Sequence, residues 1–419
     1  MSDFTACVPD KILFLIISLL PFDKAHLLLR VSKYMKEILT TAKMQITNVD
    51  NAHKGGNPKR VKLLLHIISE MPQLTTIDLY NNMTGECDNT LATTLLHLPQ
   101  LTKLNLGLNC LKLSKKSIID AIGTLTKLEW LNLGQNNFSY DSGILLHNML
   151  LSLTQLKSLI LNCIYLSNTN FTSLIHALNK LPKLESLNIR SNWLDNTLPT
   201  VLYNLSQLTN LNIAYTYCKS DTAELLVPVL SKMTKLKSLN LSGNHIKSIG
   251  MPGLISALYH LTLMEELSLS WTNIDIEGIS LLAPVFERMP NLTLLDLGIN
   301  YISLIGASLL APVLLKLTQL KSLDLKRNTL TTKGALSLVP SLSMMTQLTF
   351  LNLEENQICP DGMDAIITAV LNIKKLQTLK INCNYTGNPE YTLDKKISHQ
   401  TMLKAALPAL KFTSALKFT

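Results

Sequence analysis

From residue 74 onward one arrangement of apolar and polar positions, LxxLxLxxN, recurs. It opens at Leu74, Leu101, Leu128, Leu156, Leu184, Leu208, Leu236, Met264, Leu292, Leu320, Leu348 and Leu376. The spacings are 27, 27, 28, 28 and 24 residues, and then 28 six times. Twelve phased copies mark a chain of stacked supersecondary units rather than one built around a single core. Within LTKLNLGLN, Leu104 and Leu106 alternate as one face of a short strand, Leu101 turns inward just before it, and the intervening residues face solvent. Eight residues after the first leucine stands Asn82, Asn109, Asn136, Asn192, Asn244, Asn300, Asn328, Asn356 or Asn384, where a buried amide can bond the backbone of neighbouring turns. Ile164, Thr216 and Thr272 interrupt that series and predict less regular turns.

After the strand the later repeats carry glycine at a fixed offset (Gly250, Gly278, Gly306, Gly334, Gly362), followed by an apolar pattern of helical period such as GASLLAPVLLKL. Prolines recur inside these helices at Pro228, Pro284, Pro312 and Pro340, where each removes a backbone hydrogen bond and predicts a kinked or shortened helix. A 28-residue period with asparagine and a helix resembles the ribonuclease-inhibitor class of leucine-rich repeats over residues 74–385. The resemblance implies an α/β horseshoe solenoid, with parallel strands on the concave face and helices on the convex face. It does not carry the inhibitor's activity, because that family is rich in cysteine and acidic residues. Nor does the chain show the fixed arginine and acidic tail expected of a GTPase-activating relative.

Residues 8–40 stand outside the repeat phase and read as helices, the first apolar almost all round from Ile12 to Leu20. A module this small cannot cover every such face itself, so part of it meets a partner or the first repeat. The segment resembles an F-box: Val8, Pro9, Ile12, Leu13, Ile16, Leu20, Leu28, Val31, Ser32 and Lys33 fall on that pattern without a gap. Met35 stands where the family has tryptophan, and Val8 where it has leucine. The resemblance implies a small α-helical module whose apolar positions (Val8, Pro9, Ile12, Leu13, Ile16, Leu20, Leu28 and Val31) dock the Skp-type adaptor of a cullin ubiquitin ligase. The bland alternative is that these helices only cap the first repeat. The expected organisation is an F-box-like module at 1–43, a degenerate lead-in repeat at 44–73, twelve repeats at 74–391, and a C-terminal cap with a basic tail at 392–419.

Composition narrows the function classes. At 419 residues with 47% hydrophobic but only 5% aromatic content, the apolar mass is aliphatic, as many small identical core layers require. The formal charge of +9 would suggest nucleic acid if it were concentrated on the repeats. Residues 1–73 hold ten Lys/Arg against six Asp/Glu and residues 385–419 five against two, leaving the middle near +2, so no nucleic-acid partner is expected. Seven cysteines without a CxxC pair point to thiols in a reducing compartment. The apolar run from Ile12 to Phe22 is flanked by acids, broken by Pro21 and shorter than the roughly 20 residues a membrane span needs. A cytoplasmic protein without a membrane span is expected.

On each strand the offsets two, four and six after the first leucine are expected on the concave side. The middle lane is mostly Asx, from Asp78 and Asn105 to Asp324 and Asn352. Against it stand large side chains, Tyr80, Trp130, Arg190, Tyr215, Trp271, Leu294 and Phe350, of which the aromatics and arginine are types that carry interface energy. Glu266, Asp296, Asp324 and Glu354, with Glu355, make an acidic stripe that suits a basic partner. No phosphate loop, HExxH, GxSxG or metal-ligand spacing occurs, so neither a catalytic site nor a cofactor is expected.

The reading is therefore a substrate receptor of an SCF-type ubiquitin ligase, with the F-box-like helices on the adaptor and the concave face on an unknown target protein. The departures from the F-box pattern, and asparagine where eukaryotic F-box/leucine-rich-repeat proteins commonly have cysteine, fit equally an effector that an intracellular bacterium delivers into the host cytosol. The other reading is a stand-alone scaffold or inhibitor whose amino-terminal helices are a cap.

Overall fold

The computed structural model describes residues 48–50 and 58–382, apart from 83, 113–115, 139–141 and 165–167, then 384 and part of 402–410. The F-box-like segment, with Val8, Pro9, Ile12, Leu13, Ile16, Leu20, Leu28 and Val31, lies outside the described residues, as does most of the expected tail. The chain divides into two compact units, Met1–Leu184 and Glu185–Thr419.

In the first unit five three-residue strands, β1 (Asn48–Asp50), β2 (Thr76–Asp78), β3 (Lys103–Asn105), β4 (Trp130–Asn132) and β5 (Ser158–Ile160), pair in parallel in chain order. Helices α1 (Pro58–Ser69), α2 (Asp88–Leu96), α3 (Lys116–Gly123), α4 (Ser142–Ser152) and α5 (Asn168–Leu178) alternate with them and lie against one another in sequence. The strand β1 and helix α1 fall inside the stretch expected as a lead-in repeat.

The second unit stacks β6 (Ser186–Asn188), β7 (Asn210–Asn212), β8 (Ser238–Asn240), β9 (Glu266–Ser268), β10 (Leu294–Asp296), β11 (Ser322–Asp324), β12 (Phe350–Asn352) and β13 (Thr378–Lys380), again parallel and in order. Its helices are α6 (Leu198–Leu202), α7 (Ser220–Leu230), α8 (Lys247–Leu258), α9 (Ile276–Phe286), α10 (Ser303–Leu314), α11 (Thr331–Met344) and α12 (Pro360–Val370). The repeat of 24 residues holds α6, which has five residues where α7 has eleven. A deletion of about one helical turn is thus taken from the helix and leaves the strand intact.

Why the repeat folds this way follows from its leucines. Leu101, Leu104 and Leu106 are fully buried, as are their equivalents in each repeat, and each contributes about 2 kcal/mol by leaving water. The asparagines stitch the turns. Asn328 Nδ2 donates to the carbonyls of Leu297 in the preceding repeat and Leu325 in its own, at 2.9 and 3.0 Å, while its amide donates to Asn356 Oδ1 at 2.9 Å. Thr216 and Thr272 keep half of this. Their hydroxyls donate to Ile213 and Leu269 of their own turns at 2.8 and 2.7 Å, and their amides still reach Asn244 and Asn300. What threonine lacks is a second donor for the preceding repeat, so the two threonine turns stay in register with one bond fewer.

The recurring glycines sit where the helix start presses on the repeat before it. A β-carbon on Gly250 would lie 3.0 Å from Ser220 Cα of the preceding repeat, and one on Gly334 would lie 3.1 Å from Leu304 Cα. The helix prolines sit near the helix ends without shortening the helices: α11, which holds Pro340, has fourteen residues where the proline-free α4 and α5 have eleven. Pro228, Pro284 and Pro312 are each followed by two more helical residues and Pro340 by four. All four rings are exposed, so the carbonyl each leaves without a helical donor is on the watered side.

Candidate protein-binding face

The strand residues at offsets two and four are half-buried or exposed in most repeats, with a buried residue between them. The Asx lane, however, is occupied by the fold itself. Asp78, Asn105, Asn132, Asn188, Asn212, Asn240, Asp296, Asp324 and Asn352 each accept, through Oδ1, from the amide two residues on. Sideways, Asn105 donates to Asp78 at 3.0 Å, Asn132 to Asn105 at 2.8 Å and Asn352 to Asp324 at 2.8 Å. This lane caps the strand ends and ties neighbouring strands.

Burial pushes Asp296 up to about 6, against the hydrogen bond from the Gly298 amide, and the neighbouring Asp324 carboxylate pushes the same way. Burial also raises Asp324, against the hydrogen bonds from Lys326 N and Asn352. Glu266 is exposed and accepts from Ser238 Oγ at 2.9 Å. Glu354 accepts from Asn382 at 2.8 Å, and Glu355 pairs with Arg327 at 2.6 Å. The acidic stripe is thus tied into internal bonds along most of its length.

The large side chains stand clear of that lane. Tyr80 leans over Gly107, whose β-carbon would lie 2.9 Å from the ring, and reaches Gln135 Oε1 through its hydroxyl at 3.1 Å. Lys103 lies over Trp130 at 4.9 Å and Lys380 over Phe350 at 5.6 Å. Leu294 is half-buried between its register partners Glu266 and Ser322. Arg190 stacks on Tyr215 at 4.8 Å.

Tyr215 and Trp271 are not strand residues. They follow the strand by one position too many for its alternation and occupy left-handed turns, with φ of 56° and 54°. The same turn recurs at Asn81, Leu108, Gln135, Ile299, Arg327 and Glu355, so the fold imposes it on each of these repeats. Beside them, at offset nine, stand Trp193, Tyr217, His245 and Tyr301, which strand alternation passes over. Comparing that offset across repeats finds them. Trp193 meets Tyr217 edge to face at 5.3 Å, and His245 meets Trp271 at 6.1 Å.

Among the described residues no group of three or more His, Cys, Asp or Glu is placed to hold a metal ion, and no helix is long and apolar enough to cross a membrane.

Residues 232–252, 260–283 and 316–339 match the family described as Leucine Rich repeat, so the chain carries leucine-rich repeats. No curated protein matches it in sequence. Among solved structures, an internalin (inlF) from Listeria monocytogenes is similar with a TM-score of 0.50 and 21% identity, over 83% of this chain and 89% of that one. The mouse RP105/MD-1 complex is similar with a TM-score of 0.48 and 20% identity, over 83% of this chain and 53% of that one. With the internalin the chain shares its fold, a parallel-strand α/β solenoid.

Proposed function

We propose that the chain is a non-catalytic scaffold that binds a target protein through the strand side of its repeats, and that residues 8–33 dock a Skp-type adaptor so that the target is presented to a ubiquitin ligase. The observation that carries the first half is the set of arginine and aromatic side chains on and just past the strands, with Arg190 and Trp271 exposed and Tyr215 half-buried between them. These residue types dominate binding energy at protein interfaces, whereas the Asx lane is spent on internal bonds. The second half rests on the F-box resemblance of Val8, Pro9, Ile12, Leu13, Ile16, Leu20, Leu28 and Val31. The ubiquitin chemistry then belongs to other subunits, and this chain contributes proximity.

The test is a pull-down with purified Skp-type adaptor of the full chain and of a Pro9→Ala, Leu13→Ala double variant, both checked for folding by circular dichroism. Binding by the wild type and its loss in a folded variant is the expected result. No binding by the wild type overturns the ligase half and leaves a scaffold whose first helices are a cap. The scaffold half is tested by a photo-crosslinking residue at Phe350 on the strand side and, separately, at Ile305 on a helix. Capture of a cell protein only from the helix position overturns it.

A further inference from the structure

The turn edge of the second unit carries more cationic and aromatic surface than folding requires. Tyr215, Gly243 and Trp271 occupy offset seven in three successive repeats, and Gly243 takes φ of 68° with its would-be β-carbon 2.3 Å from the Tyr215 ring. A side chain there would drive Tyr215 out. With glycine the ring crosses the middle repeat and meets Trp271 at 5.7 Å, edge to face. On its other side Tyr215 carries the Arg190 guanidinium at 4.8 Å. Beside this row, Trp193 and Tyr217 leave 64% and 48% of their surfaces in solvent, and Trp271 leaves 44%. Of the three tryptophans in the chain, two are on this edge.

The charge here differs in sign from the acidic stripe. Arg190, Lys219 and Lys247 are exposed, and among the described residues none of them makes an ion pair. Asp275 is committed to capping helix α9, accepting from the Gly278 amide at 3.0 Å. An arginine stacked on a ring keeps its N–H edge directed away from the ring, pre-organised for two parallel bonds to a carboxylate. Tyrosine and tryptophan held in turns offer rigid apolar area with little rotamer entropy to lose.

We infer that this edge is a docking site for a segment of the target that presents a carboxylate, an Asp or Glu side chain or a chain terminus, next to an aromatic or aliphatic side chain. The carboxylate meets Arg190, and the apolar neighbour packs against Tyr215 and Trp271. The inference rests on the reading of the repeats as a protein-binding scaffold and names the chemistry of what they bind.

The test is selection of a phage-displayed random dodecapeptide library on the immobilised full chain. Enriched peptides are then synthesised, labelled and titrated against the wild type, Arg190→Ala, Arg190→Lys, Trp271→Ala and, as a control on an exposed helix position of the first unit, Ile144→Ala. The enriched sequences are expected to share an Asp or Glu beside an apolar residue. Their affinity falls about tenfold or more with Arg190→Ala and with Trp271→Ala and is unchanged with Ile144→Ala. Arg190→Lys, which keeps the charge and loses the fork, recovers only part. Changing the peptide's Glu to Gln costs as much as Arg190→Ala, and no more when both are changed. Peptides that lack an acid, or that bind Arg190→Ala as well as the wild type, overturn this site and leave the scaffold reading standing. A selection that enriches nothing overturns both. The altered side chains are exposed or half-buried, and circular dichroism of each variant separates lost contacts from lost folding.

Discussion

The rings of Tyr215 and Trp271 touch edge to face at 5.7 Å although 56 residues of chain and one whole repeat separate them. Gly243 in the intervening repeat makes that possible. Its φ of 68° suits only glycine at low cost, and a β-carbon would stand 2.3 Å from Tyr215 Cδ1 and Cε1. Gly243→Ala is expected to cost about 1–3 kcal/mol in urea unfolding, from the left-handed backbone and the displaced ring. It should also reduce the near-ultraviolet circular dichroism of the Tyr215–Trp271 pair. An unchanged near-ultraviolet spectrum would show that the rings keep their contact and that the glycine is there for the turn alone.

Asp296 and Asp324 are register partners on β10 and β11, at the lane position where Asn352 donates to Asp324 at 2.8 Å. An ionised Asp324 has nothing to donate to Asp296, so two half-buried carboxylates face each other where the ladder calls for an amide. In the fold Asp296 holds its proton up to about pH 6, and in the unfolded chain only to about its ordinary 3.8. The folded state therefore binds more protons across that window, and stability falls as pH rises through it, the full cost standing above pH 6. Asp324→Asn supplies the missing donor. It is expected to stabilise the protein by about 1–2 kcal/mol at pH 7.5, and by clearly less at pH 4, in urea titrations. Equal gains at both pH values would show that the pair is not the source.

How much of this could be read from sequence depends on which interactions a residue type betrays. Leu101, Leu104 and Leu106 announce themselves because alternation and burial are one fact for a strand. Asn328 does so because a polar residue in a buried phase must find partners. The Asx lane misleads because alternation places Asn105 and Asn352 on the open side and is silent about amides bonding along the sheet. Tyr215 and Trp271 were legible as large side chains but not as turn residues, since left-handed backbone usually shows itself as glycine or asparagine. Here the turn also accepts Leu108 and Trp271. Trp193 and Tyr217 lie past the asparagine, where no strand rule applies, and only their shared offset marks them.

The asparagine ladder sets a graded series. Asn328→Ala removes donors from the buried carbonyls of Leu297 and Leu325 and an acceptor from the Ile302 amide, 3.4 Å from Asn328 Oδ1. A loss of about 3 kcal/mol is expected from the groups left unpaired. Asn328→Thr should cost about half as much, because Thr216 and Thr272 show a hydroxyl serving the carbonyl of its own turn. In reverse, Thr272→Asn adds the bond to the preceding repeat and is expected to gain about 1 kcal/mol. Thermal unfolding that ranks threonine no better than alanine at position 328 would contradict the half-ladder.

Cysteine accessibility gives an independent check on how the turns pack. Cys110 and Cys359 are exposed, Cys163 is half-buried, and Cys87 and Cys218 are buried. Burial pushes the Cys87 thiol up, outweighing the opposing pull of the nearby Lys62, so it ionises less readily than an ordinary thiol. Since the thiolate is the species that reacts, exposure and ionisation act in the same direction at this site. With iodoacetamide at pH 8 and peptide mapping by mass spectrometry, Cys110 and Cys359 are expected to label within minutes. Cys87 and Cys218 should label about a hundredfold more slowly, and only through local opening of their repeats. Serine at Cys7 and Cys383 leaves only these five thiols to map. Fast native labelling of Cys218, whose amide is bonded to Asn244 Oδ1 at 3.0 Å, would mean that the turn bearing Tyr217 opens on its own, and an edge that opens so readily could not hold Tyr215 and Trp271 in a fixed contact.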